Sequence, residues 1–383
     1  MQSFKELFRS QSWDSSQKSI YTKTANDVQH ALQKERLTPE DFKALISPAA
    51  IPFLEEMALR SQALTVKRFG RTLQMYAPLY LSNECQNICT YCAFSLDNPI
   101  RRKTLSDTEI IGEAGILKKW GYDHVLLVTG ESSHVGVDYL IHAIDLLRPF
   151  FAHISIEVQP LDTEEYARLA AAGLNAVLVY QETYREETYK THHPKGKKSN
   201  FYYRLETPER IGEAKVHKIG LGVLIGLEDW RTDSFYSALH LDYLEKKYWE
   251  TRYSISFPRL RPIETDKAGY GGKQEFAAFM SDRELVQLIC AYRIFKPEAE
   301  LSLSTRESER FRDHVIKLGI TSISAGSKTN PGGYAMPSES LEQFEISDDR
   351  SPAAVAEMIT KAGYEAVWKD WDRALSHTHT FNT

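Results

Sequence analysis

Three of the four cysteines in this chain fall within eight residues, in the stretch Cys85-Gln-Asn-Ile-Cys89-Thr-Tyr-Cys92. Thiolates are soft ligands that suit iron–sulfur clusters or zinc. Spaced CxxxCxxC, Cys85, Cys89 and Cys92 can grip three irons of a [4Fe–4S] cube from one loop. The fourth iron then lacks a protein ligand from this loop and stays open to a small molecule, unlike the closed four-cysteine site of an electron carrier. The remaining cysteine, Cys290, shares one face of the helix-like run 284–295 with Val286 and Ile294, and reads as a packed core residue. Structural zinc is the competing use of such thiols, but it usually takes two separated ligand pairs. The chain has no second CxxC and no HxxxH, and nothing in the spacing selects His134 or His193 as remote ligands.

The loop needs a scaffold. Eight short apolar segments are predicted strands: residues 78–81, 124–128, 153–158, 175–179, 218–225, 253–257, 300–303 and 321–324. Helical patterns separate most of them. Ser106 with Glu109, and Ser281 with Glu284, form capping boxes. Thr207 before Pro208 reads as an N-cap with proline at the first helical position, and Gly173 as a helix stop. Strand–helix alternation implies a parallel sheet, and eight units predict an α/β fold, a closed (β/α)8 TIM-type barrel. A doubly wound open sheet is the alternative. Residues 1–74 are expected to form an N-terminal helical extension, with amphipathic stretches at 24–33 and 50–64. Residues 75–325 are expected to form the barrel, and 326–383 a C-terminal extension capping it. The segment 262–280, rich in glycine and charge, reads as a long surface loop.

Such a barrel keeps its active residues just past the carboxyl ends of its strands, and polar residues collect at those points here. The first strand runs into the cysteine loop, the second into Thr129-Gly130-Glu131, the third into Gln159-Pro160 and the fourth into Gln181-Glu182-Thr183. The sixth leads to Arg259 and Arg261, the seventh to Ser304-Thr305-Arg306, and the eighth to Ser324 and Ser327. Each alone is weak; the repetition carries the weight.

Composition excludes several classes. The 383 residues are 42% hydrophobic and 26% charged, with a net charge of −5, so there is no broad basic footprint for nucleic acid. No apolar run approaches the roughly 20 residues that span a bilayer, and the first residues carry no apolar signal core. Clustered thiols in a long chain point to a metal and a reducing compartment rather than a disulfide scaffold. A cytoplasmic protein is expected, without membrane or nucleic-acid partners.

CxxxCxxC with an aromatic, Tyr91, before the last cysteine resembles the radical S-adenosylmethionine superfamily. The stretches LYLSNECQNICTYCAFS, LLVTGE, IEVQPL, VYQETY, RLETPERIG, IGLGVLIGLEDWR, SFPRLRP, LSLSTRE and SISAGSKTNPGGY, ending in WKDWD, look like the 2-iminoacetate synthase (tyrosine lyase) family over most of residues 20–372. The resemblance implies a [4Fe–4S] cluster and S-adenosylmethionine as cofactors. It implies L-tyrosine as substrate, cleaved at Cα–Cβ after loss of an amino hydrogen to give 2-iminoacetate and 4-cresol for thiazole formation in thiamine biosynthesis. It also implies a reductase or flavodoxin-type electron donor and a complex with thiazole synthase. By the same resemblance, Gly130 and Glu131 orient the amino group of S-adenosylmethionine, with Thr129 standing where the superfamily has its first glycine. Glu182 lies near the ribose or methionine portion, and Arg204 meets the methionine carboxylate. A planar guanidinium suits that group, and Arg204 precedes a helix start, where free N–H groups favour anions. For tyrosine, Arg306 is the expected carboxylate partner and Ser324 adds a hydroxyl; a rim salt bridge from Arg306 to Glu307 or Asp313 is the ordinary alternative.

The run Thr191–Lys198 (THHPKGKK) reads as a solvated loop with a gating use. Trp368 and Trp371 are expected to pin the C-terminal segment over the barrel. Related lyases compete: the hydrogenase-maturation type needs further cysteines, and none follows Cys290, whereas a tryptophan lyase differs in its pocket. A non-catalytic zinc or iron–sulfur protein is the reading from another class. Reconstitution separates these metals: iron and sulfide should give a brown protein with charge-transfer absorption, whereas colourless stoichiometric zinc would contradict the cluster.

Overall fold

The computed structural model describes residues 2–261, 279–335 and 342–369. Eight apolar runs become eight parallel strands: β1 (Thr72–Ser82), β2 (His124–Thr129), β3 (His153–Glu157), β4 (Ala176–Leu178), β5 (Lys218–Gly222), β6 (Arg252–Ser256), β7 (Glu300–Leu303) and β8 (Ser322–Ser324). Strands neighbour one another in chain order from β2 to β8. Strand β1 pairs with both β8 and β2, which closes the ring. Every residue of β2 and β5 is buried, as expected where helices cover a sheet whose other face lines a barrel lumen. The fold is the closed (β/α) barrel, not the open sheet.

A ninth strand, β9 (Glu365–Val367), was not anticipated. It pairs in parallel with Thr72–Gln74, on the edge of β1 that faces away from β8. Strand β1 is thus longer than its apolar run implies, and the preceding helix, Leu54–Phe69, ends at Gly70, whose φ of 69° suits glycine. That helix starts four residues later than the amphipathic pattern, behind the 3₁₀ turn Pro48–Phe53, because Pro52 lacks the N–H an α-helix interior needs.

The capping boxes at Ser106 and Ser281 are both formed. Thr207 is not an N-cap. Its hydroxyl donates back to the Tyr203 carbonyl (2.8 Å), and Glu206, in helical conformation, joins the turn Phe201–Leu205 to the helix Thr207–Glu213. The helix start expected to assist Arg204 is therefore interior to a nearly continuous helical segment. The N-terminal helices lie against the outer face of the barrel helices Trp230–Lys247 and Asp282–Phe295. Phe4 stacks on His240 with ring centroids 3.6 Å apart, and the Gln287 amide donates to the carbonyls of Leu45 and Ser47 at 2.8 Å. Cys290 is buried in this layer of the core, where burial pushes its thiol up to about 12.

The C-terminal part divides between the two ends of the barrel. Residues after Gln343 reach the mouth: the N–H of Ser347 donates to the Thr305 carbonyl (2.8 Å), and Asp348 forms a fully buried ion pair with Arg312. Trp368, by contrast, packs edge-on against Tyr122 (5.2 Å), just ahead of β2. It closes the end where the strands begin, not the mouth; Asp370, Trp371 and Asp372 lie outside the described residues, as do residues 262–278 of the expected loop. Removing one partner of a buried pair leaves an uncompensated charge. Asp348→Ala is expected to destabilise the protein by about 3 kcal/mol or more, read from its denaturant midpoint; a loss of less than about 1 kcal/mol would contradict the contribution assigned to this pair.

Candidate active site

One cavity at the carboxyl ends of the strands is lined by Cys85, Cys89, Cys92, Gly130, Glu131, Glu182, Arg204, Arg306 and Ser324. The structure thus brings together every residue the sequence nominated for metal, cofactor or substrate. The cysteine loop follows β1 and rests on a small apolar cluster of Tyr80, Phe94, Leu126 and Val128. The loop is held from inside by Asn87, which is buried. The Asn87 side-chain amide donates to Glu131 Oε2 (2.9 Å), and its carbonyl oxygen accepts from the Lys198 backbone N–H (2.9 Å). Ser95 Oγ accepts the Cys89 N–H at 2.9 Å.

Beneath the loop, Gly130 is required by space. Its N–H donates to the Ser82 carbonyl at 2.9 Å, and a Cβ at this position would lie 2.3 Å from the Glu84 carbonyl oxygen and 3.2 Å from Cys85 Cβ. Glu131 accepts from Arg204 Nη1 (2.8 Å), while Arg204 Nε donates to the Tyr180 carbonyl (2.6 Å). Lys198 Nζ donates to Glu182 Oε1 (2.7 Å) and Arg204 Nη2 stands 3.6 Å from the same oxygen. Two acids and two cations form one interlocked network. Burial alone would raise the Glu182 carboxyl, but Lys198 and Arg204 hold it below its ordinary value. Glu182 also has a φ of 70°, rare for a side chain of this kind, and its carbonyl accepts the Leu224 N–H at 2.8 Å.

The opposite wall is different. The Arg306 guanidinium lies over the Phe344 ring, 3.3 Å from its centroid. The ordinary ion pairs proposed for it are not made: Glu307 is taken by Arg259 and Arg261, and Asp313 by Arg350. Ser324, buried beside it, accepts the Thr305 N–H at 3.2 Å.

Lys198, Glu157, Gln343 and Phe344 line the cavity but escaped the sequence reading, as did Asn87. Lys198 sits inside the run read as solvated, which corrects that reading: the outer residues Thr191, Pro194, Lys195 and Lys197 are exposed, but His193 and Lys198 turn inward. His193 Nε2 meets the Tyr91 hydroxyl (2.6 Å) and Nδ1 the Tyr189 carbonyl (2.7 Å), so this ring braces the cysteine loop. His134 is exposed. Glu157, at the end of β3, was an unassigned letter in a strand. Gln343 and Phe344 arrive from the polar C-terminal segment; the Gln343 carbonyl accepts from the Tyr80 hydroxyl (2.6 Å), and its amide lies 3.8 Å from Cys92 Sγ. Charged residues that end apolar strands were the only available signal, and it pointed to Glu157 alone.

The donor set suits an iron–sulfur cube. Three soft thiols line one wall on a single short loop, and the fourth thiol is away in the helical core. A cube asks each cysteine for its own iron; among the described residues no three His, Cys, Asp or Glu side chains converge as a single ion requires. Burial pushes the free Cys92 thiol up to about 11 and Cys89 well above its ordinary value; metal binding requires, and favours, the deprotonated form. The buried Thr129 hydroxyl, without a hydrogen-bond partner among the described residues, lines the same cavity as the thiols.

Gly130→Ala should push the floor into the cysteine loop. We expect reconstituted iron and sulfide content to fall severalfold while far-ultraviolet circular dichroism stays unchanged; full cluster loading would contradict the close approach.

Comparison with known proteins agrees with this arrangement. A family model for the radical SAM superfamily matches residues 79–239, and one for the biotin and thiamin synthesis associated domain matches residues 256–365. The 2-iminoacetate synthase of Escherichia coli (strain K12) is 52% identical over 377 residues, 98% of each chain, and that of Salmonella typhimurium (strain LT2) is 50% identical over the same share. The crystal structure of HydG, a maturase of the [FeFe]-hydrogenase, superimposes with a TM-score of 0.88 at 30% identity, covering 95% of this chain and 81% of that one. The chain belongs to the 2-iminoacetate synthase family of radical SAM proteins.

Proposed function

We propose that this protein cleaves the Cα–Cβ bond of L-tyrosine to 2-iminoacetate and 4-cresol, for thiazole formation in thiamine biosynthesis. The observation that carries the reading is the division of one cavity: three thiols and a charge-balanced network on one side, an unpaired guanidinium on the other. Identity of about half the residues with 2-iminoacetate synthases over nearly the whole chain supports the substrate.

In this reading Cys85, Cys89 and Cys92 hold a [4Fe–4S] cluster, and Gly130, Glu131, Glu182 and Arg204 hold S-adenosylmethionine against it. Together these cofactors supply, when bound, reductive cleavage of the sulfonium to a 5′-deoxyadenosyl radical, with methionine and 5′-deoxyadenosine as the spent products. The chain's own contribution is placement and exclusion of water. Arg204 is already paired with Glu131 and close to Glu182, so it enters as a fixed member of a network rather than as a free cation; a methionine carboxylate would share it. Lys198 adds a second cation to the same wall. Arg306 clamps the tyrosine carboxylate with a planar fork held flat by Phe344, and Ser324 adds a hydroxyl beside it. The electron is delivered by a reductase or flavodoxin-type donor, and the imine passes to a thiazole synthase that docks on this chain.

The test is anaerobic incubation of the reconstituted protein with tyrosine, S-adenosylmethionine and a reductant. Cresol and deoxyadenosine should form together; an indole acid from tryptophan, or neither product, would contradict the reading. Arg306→Lys keeps the charge but loses the fork. A carboxylate misplaced by ~1 Å costs about a hundredfold in rate, so cresol should fall by about that factor while deoxyadenosine continues to form. Wild-type yields of both would remove Arg306 from this role.

A further inference from the structure

The network of Glu131, Arg204, Glu182 and Lys198 satisfies its own charges. Of the Glu, Lys and Arg side chains lining the same cavity, two stand outside this network with no ion-pair partner among the described residues: Arg306, beyond β7, and Glu157, the last residue of β3; Arg261 is paired with Glu307. In a closed ring of eight strands, β3 and β7 stand diametrically opposite. Arg306 and Glu157 feel each other's charge, yet no ion pair within 4 Å joins them. Among the described residues, no group donates a hydrogen bond to the Glu157 carboxylate, and no carboxylate meets the Arg306 guanidinium. Burial and the Glu182 charge push the Glu157 carboxyl up to about 7. A sequestered acid without a partner costs free energy unless something else supplies one.

An α-amino acid is a zwitterion whose anion and cation sit on one carbon. It fits between an unpaired guanidinium and an unpaired carboxyl group that line one cavity from opposite strands. We propose that Glu157 receives the α-amino group of the substrate, opposite Arg306, so that the two side chains together fix the amino acid's Cα and leave its side chain to the rest of the cavity. The assignment rests on the amino acid lyase reading above, and it adds the residue that holds the nitrogen. A carboxylate here anchors an ammonium by charge and, accepting one of its protons, leaves a neutral amine hydrogen-bonded to a carboxylic acid. Tyr80 and Tyr180 donate their hydroxyl hydrogens to Gln343 (2.6 Å) and Ser256 (3.0 Å); they can accept from an ammonium but carry no charge to match it.

Equilibrium binding to the reconstituted holoenzyme, with S-adenosylmethionine but no reductant, tests this without turnover. The ligands are tyrosine and 3-(4-hydroxyphenyl)propionate, which lacks only the amino group. The wild type should bind tyrosine at least about tenfold more tightly than the analogue. Glu157→Gln should weaken tyrosine by about tenfold and leave the analogue unchanged, and Glu157→Asp should restore part of the discrimination. Equal loss of both ligands in Glu157→Gln, or no loss of either, overturns the assignment while wild-type cresol formation keeps the lyase reading intact. If Glu157→Gln fails to fold or load its cluster, the wild-type comparison decides: an analogue that binds as tightly as tyrosine overturns it. A wild type that neither binds tyrosine nor makes cresol removes the lyase reading, and this assignment with it.

Discussion

The cysteine loop is registered on the barrel by one buried carboxamide. Asn87 lies between Cys85 and Cys89, and its two polar atoms reach Glu131 at the end of β2 and the backbone of Lys198. Its neighbour makes room for it: a Cβ on Gly196, whose φ is 95°, would lie 2.2 Å from Asn87 Oδ1. The cysteine loop, the acid that pairs with Arg204 and the lysine that pairs with Glu182 are therefore tied together through one side chain. Such a buried network adds little net stability, since desolvation offsets much of the attraction, but breaking one member leaves others uncompensated. Its use here is geometric: it fixes the three thiols relative to Glu131, Glu182, Arg204 and Lys198.

That joint divides the cavity by strand position. Strands β1, β2 and β4 and the helical segment after β4 supply the thiols and the balanced charges. Strands β3, β7 and β8 supply Glu157, Arg306 and Ser324, which have charge or polarity to spare. The C-terminal segment touches both halves, with Gln343 beside Cys92 and Phe344 over Arg306. Its attachment through Asp348 to the buried Arg312 makes the cover part of the folded core rather than an appended strap.

Much of this was legible because strand periodicity and strand-end polarity survive in a linear reading. All eight barrel strands lie where apolar runs predicted them; Glu131, Glu182 and Arg306 were each flagged by their place after a strand, and Arg204 by the family resemblance. Lys198 was hidden because a basic run reads as a solvated face, and only the fold brings its amine to an acid 16 positions earlier. Glu157 was hidden because one acid ending a strand is ordinary until its neighbours are known to leave it unpaired. Thr207 misled because a threonine before proline signals a helix start, whereas here a preceding helical turn runs into it. Strand β9 was missed because three residues in a polar segment carry no periodicity.

The account depends on a cluster with one iron left free by the protein. Electron–nuclear double resonance on the reduced, reconstituted protein, with S-adenosylmethionine labelled with nitrogen-15 in its amino group, reads that site directly. A nitrogen-15 coupling of the size expected for a directly bound amine is the predicted result. A spectrum unchanged by S-adenosylmethionine, with a fourth protein side chain on the cluster, would make the chain an electron carrier or scaffold and contradict the account.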